Sequence, residues 1–330
     1  RDLNATTQAF LVSDGLMTLD GDIMAADRLM TVSNGGLRQG FVSTLTTSEL
    51  IVAGTGTFAF DRSNDIRSAA TGIGSVAVNV DGDFELVNAN ETVVRSLNYS
   101  TDAGVDLDVV GVDVSGDFMI QLPDVDFHQD TDATIIVGGT ATLNVGLGCV
   151  DLSFGDEAAD GLNENNFNIV EITADVVDLV DVDGFILGEN VVSDRMRIES
   201  QSGEIEFDRN VRGTNQLLIV SAGGLSQNIG ASIETPELLV IGSGDFLFSQ
   251  SNLIGNTGSA GQVAASVDGS LLLNNSFDVN FTSLTYTNKD ASTVDIVGIS
   301  LLNTSGTGDM TIEGEDITVT QELIAPVIVA

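Results

Sequence analysis

Lysine, histidine, cysteine, tryptophan and proline are nearly missing from this chain. Its 330 residues include one lysine (Lys289), one histidine (His128), one cysteine (Cys149), no tryptophan and three prolines (Pro123, Pro236, Pro326). One histidine and one cysteine cannot build a zinc or iron–sulfur site, and a single chain cannot form a disulfide. Serine, threonine and cysteine hydrolase triads need a histidine base, and here only His128 could serve. Positive charge is scarce too: 11 Lys+Arg stand against 49 Asp+Glu, a formal net charge of −38. Such a surface repels DNA, RNA and anionic headgroups, so no nucleic-acid partner is expected. No apolar run approaches ~18 residues, so no membrane insertion is expected. Low proline content leaves almost every backbone N–H free to join a ladder.

What is present is apolar and alternating. Hydrophobic residues make up 42% of the chain, enough to bury a large core despite the charge. Val76, Val78 and Val80 alternate with Ala77 and Asn79, and Leu50, Val52, Phe58 and Phe60 keep the same two-residue beat. Asp-Gly pairs at Asp14, Asp20, Asp81, Asp160, Asp183 and Asp268 punctuate these short runs. The pattern predicts strands of roughly 4–7 residues separated by tight turns, and an all-β chain.

Self-similarity decides the architecture. Residues 32–60 align without a gap on 220–248, with 14 of 29 positions identical. The match continues through 79–87 on 266–274, and Tyr99 and Tyr286, the two tyrosines, fall at matching places. A weaker copy lies between them. The internal repeats run roughly 32–120, 135–215 and 220–312, within what reads as one continuous solenoid over 1–330. A repeated short strand with one apolar face buries it by stacking like on like, ~4.8 Å apart. A right-handed parallel β-helix of about 15 rungs, ~20 residues each, is predicted. Phe58, Phe60, Phe246 and Phe248 repeat in register and are expected to form core ladders. Both ends, TQAFLVSDGLMTL and ITVTQELIAPVIVA, are strand-like and uncapped. Copies are therefore expected to stack end to end as a homo-polymer.

The repeated segments GGLRQGFVSTLTTSELIVAGTGTFAFDRSNDI (35–66) and GGLSQNIGASIETPELLVIGSGDFLFSQSNLIG (223–255), with NNFNIVEITADVVDLVDVDGFILG (165–188), carry a family likeness. They resemble the repeats of filamentous-haemagglutinin-like, giant bacterial β-strand-repeat surface adhesins. The resemblance implies a secreted, extracellular or cell-surface structural protein. It also leaves open an adhesin module that binds a host or carbohydrate surface.

Candidate chemistry is sparse. His128 lies among Asp124, Asp126, Asp130 and Asp132 and is expected to be a solvated loop side chain. Cys149 alternates with apolar neighbours and is expected to be a small buried hydrophobe. Calcium is the best candidate ligand: Asp178, Asp181 and Asp183 in DLVDVDG, and Asp81 with Asp83 in VDGD, offer hard oxygen donors. Neither segment matches a known calcium loop, and charged turns facing water are the plainer reading. Carboxylates alone could serve a carbohydrate-active β-helix, but no motif singles out a pair, and the chain is not expected to be an enzyme.

Overall fold

The computed structural model describes residues 2–100, 106–153, 165–289, 291–302, 310–313, 317–319, 323–324 and 328–329. The chain is all-β, with 67% of residues in strands, and is a β-solenoid of about 12 turns of stacked parallel coil. Two compact units are distinguished, residues 1–168 and 169–330.

In the first unit, consecutive rungs pair in parallel along three columns. One column runs Leu37, Phe58, Phe84, Phe118, Ala141. A second runs Leu3, Ile23, Leu45. The third runs Leu29, Leu50, Val76, Val94. Period-2 alternation sends these side chains inward, where Leu29, Leu50, Phe58, Val76, Val94 and Phe118 are fully buried. The phenylalanines form the expected ladder: Phe60 lies 5.9 Å from Phe84, and Phe84 stacks 5.8 Å from Phe118.

The second unit repeats the plan. Its columns run Leu217, Leu238, Val263 and Leu225, Phe246, Leu271, and Phe246 and Phe248 are fully buried.

Rungs are longer than the sequence suggested, so fewer of them fit. Ile23 pairs with Leu45, but Glu49 pairs with Ser75 and Val78 pairs with Val112, 34 positions on. The second unit lengthens in the same order: Gln216 to Glu237, Glu237 to Gln262, then Ala265 to Ile299, again 34 positions.

Corners constrain the backbone tightly. Gly54 adopts φ 136° and Gly242 φ 143°, and a Cβ there would fall 1.9 Å and 1.7 Å from the carbonyl oxygens of Ser33 and Ser221 on the preceding rung. Only glycine satisfies both the conformation and the approach.

Candidate functional site

The 34-residue rungs are long because each carries an antiparallel hairpin that leaves the coil. In the first unit, Leu97–Ser100 pairs with Asp106–Val109. In the second, Leu284–Thr287 pairs with Thr293–Ile296. Each hairpin lies as a strap across the outside of its own unit. Beneath the first strap runs an outward column, Phe10, Met30, Ile51, Ala77, one residue per rung. Leu97, Tyr99 and Val109 close over Met30, Ile51 and Ala77, all of them buried. Beneath the second runs Asp178, Arg197, Leu218, Leu239, Ala264. Leu284, Tyr286 and Ile296 close over its three apolar members. Burying one large apolar side chain contributes about 1.5–3 kcal/mol, while ordering one residue costs about 1–2 kcal/mol. Two strands of four residues therefore stand near balance, and polar contacts at the strap edge carry weight.

Those contacts are conserved in position between the two units but not in chemistry. Arg28 donates to the Asn98 carbonyl of the first strap and, through Nε, to Glu49 Oε2 at 2.5 Å. In the second unit Gln216 takes the place of Arg28. Its amide donates to the Thr285 carbonyl at 3.1 Å and to Glu237 Oε2 at 2.5 Å. Glu237 also accepts from Gln262 at 3.3 Å, whereas the residue in register beside Glu49 on that side is Ser75.

The far margin of each strap differs further. In the first unit Phe10 is 37% exposed, with its ring 5.3 Å from that of Tyr99. The matching place in the second unit holds Arg197, which bonds Asp178 Oδ1 at 2.8 Å and also pairs with Glu199. Burial opposes the Arg197 charge, but Asp178 and Glu199 outweigh it and hold the guanidinium above its usual value. Burial, and then the Asp178 charge, push the Tyr286 phenol well above its usual range.

The corners consume polar side chains. Buried Asn64 accepts from Leu45 N and Gln39 Nε2, and donates to the carbonyls of Phe60, Arg62 and Val87. Asn252 repeats this with Ile233 N, Gln227, and the carbonyls of Phe248, Gln250 and Asn274. Gln129 and Asn165 make a third copy, in which Asn165 accepts from Ile135 N at 2.9 Å. Aspartates cap backbone N–H groups one rung on: Asp22 accepts from Thr44 N, Asp117 from Thr140 N, Asp124 from Leu147 N and Asp245 from Ser270 N. The Thr44 hydroxyl and N–H together lower the Asp22 pKa.

The aspartates singled out for calcium fall into this same bookkeeping rather than into one cluster. Asp178 pairs with Arg197. Asp181, fully buried, accepts from Asp183 N and Gly184 N at 3.0 and 2.7 Å. Asp81 accepts from the Ser115 hydroxyl, and Asp83 from Asp117 N and the Thr57 hydroxyl. No grouping of three or more His, Cys, Asp or Glu placed to hold a metal ion occurs among the described residues.

His128 is not a loop side chain. It sits on the strand Phe127–Gln129, 21% exposed, with Nε2 2.8 Å from Glu91 Oε1 and 3.7 Å from Asp126. The loop reading failed because Asp and Gln neighbours suit a turn in isolation, whereas pairing of Phe127 with Val150 recruits the segment as a strand. Cys149 is half-buried rather than buried, at the start of Cys149–Leu152, where it opens a strand behind the Gly148 turn.

The first unit also holds a groove of about 520 Å³ beside the Ser68–Gly72 turn. Met24, Thr46, Ser48 and Ser68 line it, together with the Asp65–Arg67 ion pair at 2.9 Å.

The straps escaped the sequence reading, although signals existed. Leu50-Ile51-Val52 and Leu217-Leu218-Ile219 are buried at three consecutive positions. That breaks the alternation of a one-sided strand and requires a cover on the outer face.

No protein-family model, curated protein or solved structure matches the chain.

Proposed function

We propose that the chain is a structural element of the bacterial cell exterior, a β-solenoid unit of an extracellular filament or surface fibre in which copies stack end to end. One observation carries this reading. Like residues stack on like along parallel columns, Phe58 on Phe84 on Phe118 in the first unit and Leu217 on Leu238 in the second, so each rung offers the same kind of edge to the next. A parallel rung of this kind stacks on another of its own kind. The likeness to filamentous-haemagglutinin-type repeats agrees with this reading. In it the chain is not an enzyme, and its carboxylates serve corners and solvent. Electron microscopy of the purified chain tests the proposal. Filaments giving a fibre-axis spacing of ~4.8 Å are expected, and monodisperse single copies at high concentration overturn it.

The groove supports a second reading, an adhesin module that binds a carbohydrate or other cell-surface ligand. Its hydroxyls and Asp65–Arg67 pair offer donors and acceptors on one concave surface. Titration with soluble saccharides tests it, and binding lost in Arg67→Ala is the expected result. Saccharide binding unchanged by that substitution, or none at all, counts against this reading.

A further inference from the structure

We infer that the two straps are not equivalent: the first is a latch released by weakening the Arg28–Glu49 pair, and the second is fixed. Both straps share a fold, a hairpin on a three-residue apolar column, and both are held through one carbonyl, that of Asn98 or Thr285. The first clamp is ionic and partly exposed, with Arg28 at 19% and Glu49 at 30% exposure. Dissolved salt weakens a partly exposed ion pair, less than a fully exposed one but more than a contact with uncharged donors. The second clamp sets the uncharged amides of Gln216 and Gln262 on the Glu237 carboxylate, with no cationic side chain among these donors, so salt has less to screen there.

The margins reinforce the contrast. Phe10 leaves the first strap open to solvent on one side, and Tyr99 retains 7% exposure. Arg197, Asp178 and Glu199 close the second on that side, and Tyr286 retains 1%. Gly111 and Gly298, at φ 64° and 62°, stand at equivalent roots of the straps, so hinge chemistry does not separate them. Lifting the first strap would uncover the continuous column Phe10, Met30, Ile51, Ala77 on four successive rungs. The latch thus controls the one long apolar strip that this unit covers with a hairpin.

Hydrogen exchange on the intact chain tests the inference, comparing 0.05 M with 1 M NaCl. Amides of 97–100 and 106–109 are expected to exchange about two- to five-fold faster in high salt. Those of 284–287 and 293–296 should stay unchanged. Salt also relieves the self-repulsion of the −38 chain, but both straps share that effect and their difference removes it. Arg28→Gln should abolish the response of the first strap, and Gln216→Arg should confer it on the second. Protection of the Phe58, Phe84 and Phe118 amides in the first unit, and of Phe246 and Phe248 in the second, reports that each variant remains folded. Equal responses from both straps, or none from the first, overturn the inference.

Discussion

Tyr99 and Tyr286 stand 187 positions apart, yet each lies on the underside of a hairpin, over the same three-rung apolar column of its own unit. One ring faces Phe10, and the other lies near the Asp178–Arg197 pair. Truncation should separate these environments. Tyr286→Ala should cost about 3–5 kcal/mol, the range for a fully buried aromatic, and Tyr99→Ala less, because its margin is already open. Denaturant titration followed by hydrogen exchange in each strap reads both values.

Arg197 gives a sharper test of buried charge. Arg197→Met strands Asp178 and Glu199 beneath the second strap and should cost about 3–5 kcal/mol. Replacing all three with apolar residues of similar volume should recover most of that loss. A triple variant no more stable than the single one would show that the triad stabilises the unit beyond mutual charge compensation.

The corner asparagines are expected to tolerate no substitution. Asn64→Ala deprives Leu45 N and three carbonyls of a partner, and each orphaned buried group costs about 1–3 kcal/mol. Asn64→Asp keeps the acceptor but loses both donors, so it should rescue little. Thermal melts of the two variants beside wild type decide this.

Gly54→Ala should prevent the first unit from forming its corner, since the new Cβ meets the Ser33 carbonyl at 1.9 Å in a backbone region closed to alanine. Gly15→Ala, where a Cβ meets nothing within 4 Å, is the control. Circular dichroism and solubility of the pair measure the contrast.

Glu85 should make stability depend on pH. Burial, aided by the Asp61 charge, raises its pKa above the ordinary glutamate value of 4.5. The folded state then binds the proton more tightly than the unfolded chain. The group is neutral and unpenalised below about pH 4.5, and stability falls as pH rises through the folded pKa. Glu85→Gln should therefore stabilise the chain at neutral pH and lose that advantage in acid, as read from melts across pH 3–8.

Much of the fold was legible because inward alternation is local. Val76, Val78 and Val80 announce a strand with an inward apolar face, and Phe58 with Phe246 announce a ladder once the offset of 188 is seen. What stayed hidden is relational. Rung length depends on where a hairpin departs, and Leu97 to Val109 reads as more coil until Met30 and Ile51 are known to lie beneath it. The roles of the acids are relational in the same way. Asp83 and Asp181 read as oxygen donors by composition, and only the structure shows that each accepts a backbone N–H at a corner.

The straps also bear on how such a chain avoids misassembly. Rungs here are nearly interchangeable, so sliding the stack by one would still set apolar on apolar, as Leu50 on Val76 is little different from Leu50 on Val94. A hairpin seated over Met30, Ile51 and Ala77, and a side chain at 28 that reaches both Glu49 and the carbonyl of residue 98, remove that degeneracy. Once in each unit the strap works as a checksum on register: a slipped stack leaves it with no seat and a clamp with nothing to hold.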